Sequence, residues 1–269
     1  MTEAVLALIF GLLIGSFLNV CIYRWPRDLS VVRPRSHCPA CEKMIAWYDN
    51  VPLVSYALLG AKCRHCGARI PLRYPLVELL TAVLFFVFVW MLGPTAAALK
   101  MCIFSAIVVG LIFADVEERI LPDEFTLGGT AVGLVFALFV PVPESIAGFL
   151  LLIAGAQVGH RLQWILDAVV GAALPPFFLW LAGWLYEKVR HREGLGLGDV
   201  KLIAMVGSFL GFSGALYTLL LGSIAGSVIG YGYIWLTGKD PATYELPFGT
   251  FLGAAALVIA LAARQFLIS

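Results

Sequence analysis

Residues 194–201 read Gly-Leu-Gly-Leu-Gly-Asp-Val-Lys, and a long apolar run follows them at once. Three glycines on alternate positions lead into a single carboxylate, Asp199. Glycine allows unusual backbone angles and the close approach of another chain. A carboxylate at the mouth of an apolar run costs free energy in a membrane, which makes it a candidate functional group. A second acid, Asp115, closes another apolar run, so the sequence predicts that the two aspartates share one catalytic site at a membrane surface.

The composition of the chain points to a protein embedded in a membrane. Of its 269 residues, 61% are hydrophobic and only 13% are charged, and the mean hydropathy is +0.94. A soluble globular domain carries about 25% charged residues. Because the apolar runs are continuous and about 20 residues long, they predict helices rather than the strands of a barrel. The predicted fold class is therefore an all-α polytopic membrane protein.

The basic residues are unevenly distributed along the chain. Nine of the 18 Lys and Arg residues lie between Arg24 and Arg73, within one loop. The positive-inside rule places this loop in the cytoplasm. The apolar run before it, residues 4–23, lacks a basic segment ahead of it and a small-residue cleavage site. We therefore expect a retained first span rather than a signal peptide.

We expect about eight transmembrane helices. Their approximate bounds are 4–23, 76–92, 96–114, 125–140, 164–186, 202–212, 214–236 and 247–267. The apolar run 146–158 is only about 13 residues long and fits an interfacial or re-entrant helix better than a span. If it did cross the membrane, the basic segment 188–192 would lie outside, against the positive-inside rule. The count of eight brings Asp115 and Asp199 to the same cytoplasmic face.

Two neighbouring carboxylates cannot easily both be ionised, so such a pair holds one shared proton. In an aspartic protease, one group of the pair activates a water and the other protonates the leaving amide. Asp115 and Asp199 are 84 residues apart in the chain, so only helix packing can pair them. Each could instead be a solvated residue at a helix end, or the N-cap of the next helix.

Several neighbouring features have alternative interpretations. Gly-x-Gly also occurs in phosphate-binding turns, but here no strand precedes it and no Gly-Lys-Ser/Thr follows. Glu117, Glu118 and Asp123 lie close to Asp115 in the sequence, and we expect each to be a solvated loop charge. Glu78, early in the second span, could pair with a basic residue of the loop or face the site.

The basic loop carries two Cys-x-x-Cys pairs separated by 21 residues: Cys38 with Cys41, and Cys63 with Cys66. This spacing is typical of a ribbon-like site that binds zinc through four cysteines. Cytoplasmic thiols stay reduced, so disulfides are not expected. We predict structural Zn²⁺, because four thiolates leave no open position for water. A pair of redox motifs is the weaker alternative, since no thioredoxin-like βαβ pattern surrounds them.

Taken together, these motifs resemble those of the type IV prepilin peptidases, which process the subunits of type IV pili and type II secretion pseudopilins. The resemblance covers nearly the whole chain. It rests on Gly-Ser-Phe-Leu-Asn-Val at 15–20, Asn-Val-Pro-Leu-Val-Ser at 50–55, Arg-Tyr-Pro-Leu-Val-Glu at 73–78, Asp115 with Ile-Leu-Pro-Asp at 120–123, and Gly-Leu-Gly-Asp at 196–199. The last stretch matches the Gly-x-Gly-Asp motif of a class of intramembrane aspartyl proteases. The resemblance implies that Asp115 and Asp199 are the catalytic aspartates.

The resemblance also implies a substrate and a second activity. Such an enzyme cuts a short basic leader after a glycine, at the cytoplasmic side of the bacterial inner membrane, just before the hydrophobic helix of a prepilin or pseudopilin. Many members then methylate the new N-terminus with S-adenosylmethionine, an activity that the family places with the cytoplasmic domain. The chain has no Gly-rich Rossmann fingerprint that would locate the methyl donor. An extended substrate needs access to the backbone, which Gly196 and Gly198 would allow.

The expected domains are residues 1–23, the first span; 24–74, a cytoplasmic zinc-binding domain; and 75–269, a membrane-embedded aspartyl protease domain. The expected partners are prepilin substrates and the lipid bilayer, and no nucleic acid. Two other functions compete with this prediction. A proton- or cation-coupled transporter could use paired intramembrane acids, although both aspartates are predicted at one face. A membrane scaffold that docks partners through the cysteine loop would leave the glycine-flanked Asp199 unexplained.

Overall fold

The computed structural model describes residues 1–142, 158–191, 194–238 and 246–262, together with Ile146 and Ile153. In this described part, helices dominate and β-pairing is limited to two isolated antiparallel bridges. The prediction of an all-α fold is confirmed. The chain forms two compact units, Met1–Ala114 and Asp115–Ser269.

The first unit contains two long apolar helices joined by the cysteine loop. Its elements are α1 (Thr2–Arg24), two 3₁₀ turns (Trp25–Arg27 and Trp47–Asn50), α2 (Val54–Leu58), α3 (Arg73–Leu92) and most of α4 (Ala96–Glu118). Helices α1 and α3 pack closely because α1 presents glycines to its neighbour. A Cβ added at Gly11 would lie 2.6 Å from Ala82 Cα, and one at Gly15 would lie 2.6 Å from Glu78 Cα. Small residues of this kind allow helices to approach inside a membrane.

The second unit is organised around one long helix. Its elements are α5 (Asp123–Phe136), α6 (His160–Arg190), α7 (Leu197–Ala225), a π-helical turn (Gly226–Gly230), α8 (Tyr231–Thr237) and α9 (Phe248–Ala262). Helix α7 packs against α5, α6 and α9. Gly171 of α6 and Gly207 of α7 bring the two backbones together, and a Cβ on either would overlap the other's backbone.

Helix α7 contains a break at Gly211, where φ is 75° and ψ is −174°. This backbone conformation is essentially restricted to glycine. The predicted boundary between spans 202–212 and 214–236 lies two residues beyond this break. The helices Thr2–Arg27, Arg73–Leu92, Ala96–Glu118, His160–Arg190 and Leu197–Thr237 are long and apolar enough to cross a membrane, while Phe248–Ala262 is shorter. The expected eight spans are therefore an approximate count, and the run 146–158 lies almost entirely outside the described residues.

Candidate active site

Asp115 lies near the C-terminal end of α4, and its side chain is buried. Its Oδ2 atom accepts two hydrogen bonds from Thr250, one from the backbone N–H at 2.6 Å and one from the hydroxyl at 2.8 Å. Thr250 stands in the first turn of α9. In a first helical turn the Thr250 N–H lacks the regular partner four residues back, and it is shared between Asp115 Oδ2 and the Pro247 carbonyl oxygen, which lies 3.2 Å away. The start of α9 thus supplies an N–H group to the carboxylate.

Asp199 stands in the first turn of α7, three residues after the N-cap Gly196. The helix begins at Leu197, so it includes the aspartate that the sequence placed just before the span. A carboxylate is stabilised at this end of a helix by the helix dipole. The structure brings Asp199 close enough to Asp115 for their charges to interact. Helix packing thus joins two acids that are far apart in the chain.

Leu121 packs against Gly198 and Gly249, the residues that precede Asp199 and Thr250. A Cβ added at Gly198 would lie 3.2 Å from the Leu121 Cδ1 atom, and one at Gly249 would lie 3.0 Å from the same atom. The Gly249 position also lies 3.2 Å from the Asp115 Cγ atom. Gly198 and Gly249 therefore allow close packing around the site. Gly196 has an ordinary extended backbone, with φ −70° and ψ 135°.

Asp123 is exposed, as expected, but it is also ion-paired. Its Oδ1 atom lies 2.6 Å from the Nζ atom of Lys201, and both side chains keep contact with solvent. Asp123 begins α5, and Lys201 follows Asp199 by two positions in α7. The ion pair therefore ties the starts of these two helices together beside the aspartates.

The four loop cysteines form one cluster. Their Sγ atoms all lie within 4.8 Å of one another, and those of Cys38 and Cys66 are 3.9 Å apart. Thiolates around a tetrahedral zinc ion, with Zn–S bonds near 2.3 Å, are separated by about 3.8 Å. The backbone N–H groups of Cys66 and His65 donate to the Cys63 sulfur and lower the pKa of that thiol to about 6. The cluster has the spacing that a bound metal requires.

The two halves of the cysteine cluster are built alike. The same two backbone hydrogen bonds recur 25 positions further along the chain. In the first half, Cys38 N–H donates to Lys43 O at 3.0 Å and Glu42 N–H donates to Cys38 O at 2.8 Å. In the second half, Cys63 N–H donates to Ala68 O at 2.8 Å and Gly67 N–H donates to Cys63 O at 3.0 Å. The residue after each pair, Glu42 or Gly67, has a left-handed backbone with φ 56° or 70°. These matching turns point the cysteines of both pairs toward one centre.

One ion pair links the second turn to the rest of the loop. Arg64, between Cys63 and Cys66, donates its Nε and one terminal nitrogen to the two carboxylate oxygens of Asp49 at 2.7 and 2.6 Å. Hydrogen bonding to this guanidinium lowers the pKa of Asp49. Bidentate geometry of this kind fixes direction as well as distance.

The side chain of Glu78 binds the backbone of the cysteine loop. The Glu78 side chain is buried in α3, and its Oε2 atom accepts a hydrogen bond from the Leu53 N–H at 2.8 Å. Leu53 has a φ of 58°, which is uncommon for a leucine. The sequence predicts that Glu78 either pairs with a basic residue of the loop or faces the site, and the structure gives it the backbone N–H of Leu53 in the loop as a partner.

The sequence predicts the run 247–267 only as the last span and gives no role to Gly249 or Thr250. The stretch Pro-Phe-Gly-Thr at 247–250 is a signal that could have identified them. It places a glycine at the start of an apolar run, as the glycine-rich stretch before Asp199 also does. Proline and threonine near a helix start are also common capping signals.

Two family descriptions match the chain. Residues 9–92 match the bacterial peptidase A24 N-terminal domain, and residues 101–231 match the type IV leader peptidase family. No solved structure matches the chain.

Curated relatives carry one shared name, prepilin leader peptidase/N-methyltransferase. The relative from Aeromonas salmonicida strain A449 is 34% identical over 93% of this chain and 87% of its own length. The relative from Pseudomonas putida is 32% identical over 95% of this chain and 89% of its own length. The relative from Myxococcus xanthus is 40% identical over 88% of this chain, which spans only 64% of that longer protein. The chain belongs to the type IV leader peptidase family.

Proposed function

We propose that this protein removes the basic leader from type IV prepilins and pseudopilins, cutting after a glycine, and that Asp115 and Asp199 are its catalytic pair. One observation carries the proposal. The buried carboxyl group of Asp115, near the end of one apolar helix, lies close to the half-buried carboxyl group of Asp199, at the start of another. Such a pair shares one proton and can act as base and acid in peptide hydrolysis. Membership of the family and the shared name of the relatives support the same reaction.

The substrate has to present an extended segment to this pair. Gly196 offers open backbone ahead of Asp199, since among the described residues only Asp199 Oδ2, at 3.5 Å, lies near an added Cβ. An extended peptide could pair with such a backbone through main-chain hydrogen bonds. Gly198, two residues on, keeps the start of α7 against Leu121. We assign Gly196 to substrate access and Gly198 to the packing that supports it.

We further propose that the protein methylates the new N-terminus with S-adenosylmethionine, as the names of its relatives indicate for those proteins. Residues 24–74 would form a cytoplasmic domain stabilised by Zn²⁺ on Cys38, Cys41, Cys63 and Cys66. The cysteine geometry supports a metal there, and zinc is the metal that four thiolates favour. Residues 1–23 would form the first span, and residues 75–269 would form the protease domain in the inner membrane.

The two competing functions have less support. None of the named relatives is a transporter, and both aspartates lie at helix ends rather than in the middle of a span. A scaffold would not need the paired carboxyl groups that the structure brings together.

The test is cleavage of a purified type IV prepilin in detergent, followed by mass spectrometry. Wild-type protein should remove the leader, and Asp115→Asn or Asp199→Asn should each reduce the rate by roughly 10³-fold or more, because each removes a group that transfers a proton. Glu124→Gln, which alters an exposed acid of α5, is the matched control and should keep the wild-type rate. With S-adenosylmethionine present, the product should gain one methyl group.

Two outcomes would contradict the proposal. Cleavage that survives in either aspartate variant would remove that residue from the catalytic pair. A folded wild-type protein that leaves the prepilin intact would reject the peptidase activity itself.

A further inference from the structure

The two aspartates differ in their hydrogen bonding. Both donors from Thr250 reach the same oxygen of Asp115, Oδ2. A backbone N–H can only donate, so Oδ2 must offer it a lone pair. The contact from the N–H group is strongest when Oδ2 carries negative charge. Two donors on one oxygen stabilise the carboxylate form of Asp115 over its acid form.

Asp199 has weaker support for a negative charge. Among the residues that the structure describes, no side chain donates a hydrogen bond to its carboxyl group, and its backbone N–H is directed to Gly196 O at 3.2 Å. The dipole of α7 favours an anion at this position, but a helix terminus contributes less than two direct hydrogen bonds to a charged oxygen. The shared proton is therefore better placed on Asp199.

We propose that Thr250 is a positioning residue that makes the pair unequal, holding Asp115 as the ionised base and leaving Asp199 as the acid. This inference rests on the proposed peptidase function and assigns a role to each aspartate. It also makes the start of α9 part of the active site, although α9 supplies no acid or base.

The roles lead to a balanced reaction. Asp115 takes one proton from a water, the water oxygen bonds to the scissile carbonyl carbon, and Asp199 gives its proton to the carbonyl oxygen. A neutral diol results, with Asp115 protonated and Asp199 ionised. Asp115 then gives its proton to the amide nitrogen while Asp199 takes one from a diol hydroxyl. The C–N bond breaks, a carboxylic acid and an amine are released, and the pair returns to its starting state.

Other charged groups also act on Asp115. Arg119, one turn further along the chain, attracts its negative charge, and the charge of Asp199 opposes it. The nearby Asp123 and Lys201 are paired with each other. Arg119 therefore also favours the ionised form of Asp115. An Arg119→Gln variant measures how much Arg119 stabilises that form, separately from the contribution of Thr250.

The test is the pH dependence of kcat/KM for prepilin cleavage by the full-length protein. Thr250→Val keeps the shape of the side chain and the backbone N–H but removes the hydroxyl donor. The acidic limb of the profile should move to higher pH by about one unit, because protonation of Asp115 becomes easier when one charge-assisted hydrogen bond is lost. Thr250→Ser keeps the donor and should retain the wild-type profile.

A matched control is Thr218→Val, because Thr218 is a buried threonine of α7 whose hydroxyl has no hydrogen-bond partner among the described residues. Its profile should not move. A wild-type acidic limb in Thr250→Val, or a shift confined to the alkaline limb, would overturn the assigned roles while leaving the peptidase function intact. A wild-type protein with no cleavage would reject the peptidase function first. Size-exclusion elution and the unfolding midpoint in detergent establish that each variant is folded.

Discussion

At the scale of single residues, the candidate site depends on small side chains as much as on acids. Asp115 is held by Thr250, and the residue before Thr250 is a glycine whose missing side chain leaves room for the carboxyl group. Leu121 occupies the remaining space between Gly198 and Gly249. The position of one carboxyl group is therefore set by hydrogen bonds on one side and by the absence of a methyl group on the other.

Gly249→Ala should disturb this arrangement. The added Cβ would lie 3.2 Å from Asp115 Cγ and 3.0 Å from Leu121 Cδ1, tighter than ordinary packing, so the carboxyl group or Leu121 must shift. Small displacements of a reacting group are costly, and we expect a loss of prepilin cleavage of about tenfold to a hundredfold. The measurement is the initial rate with saturating prepilin.

Gly232→Ala provides the control for this change, since no atom of the part of the chain that the structure describes lies within 4 Å of a Cβ added there. It should cleave at the wild-type rate. Equal rates for Gly249→Ala and Gly232→Ala would show that the space beside Asp115 is not limiting.

At the scale of elements, the cysteine loop contains two turns of the same structure. Each half has a Cys-x-x-Cys pair, a residue with positive φ and the same hydrogen bonds. The short bridges His37–Met44 and Lys62–Arg69 close the two halves in the same way. So short a segment cannot bury a large apolar core, and a bound metal would supply the missing stability.

Purified protein should therefore contain one zinc ion per chain, measured by elemental analysis. Cys38→Ser and Cys63→Ser each remove one ligand, one from each half of the repeat, and should lose most of the metal. Cys102→Ala is the control, because Cys102 is buried in α4 outside the cluster. Full zinc content in both ligand variants, or none in the wild-type protein, would contradict the assignment.

At the scale of the whole molecule, the basic residues determine the expected orientation. The loop from Arg24 to Arg73 holds half of the Lys and Arg residues, and the positive-inside rule predicts that it lies in the cytoplasm. Helix α3 then leads away from this loop, and α4 returns toward the cytoplasm with Asp115 near its end. With the loop in the cytoplasm, we expect Asp115 to lie at the cytoplasmic face of the membrane.

This orientation can be measured with a membrane-impermeant maleimide. A cysteine at Leu58→Cys, in the exposed part of the loop, should react in inverted membrane vesicles but not in intact spheroplasts. A cysteine at Ala96→Cys, at the start of α4, should react in spheroplasts. The parent protein corrects for the native cysteines. The opposite labelling pattern would place the loop and Asp115 outside.

Composition and spacing, read from the chain alone, determined a good part of this description. They predicted a helical membrane protein and a cysteine cluster between its first two long helices, and the structure confirms both. The predicted boundary between spans 202–212 and 214–236 lies two residues beyond the break at Gly211. Each of these properties depends on nearby residues or on the overall balance of apolar and charged groups. The family resemblance was likewise carried by short contiguous motifs, and the matches to known proteins confirm it.

Only the tertiary structure decided which groups meet. Thr250 is 135 positions from Asp115 in the chain, Lys201 is 78 positions from Asp123, and Glu78 contacts the backbone of Leu53, 25 positions away. Such contacts depend on how helices pack, and periodicity within one segment holds no information about which distant segment lies beside it. The sequence alone could therefore nominate the two aspartates, but the hydrogen bonds that make them unequal became visible only when α9 was placed against the end of α4.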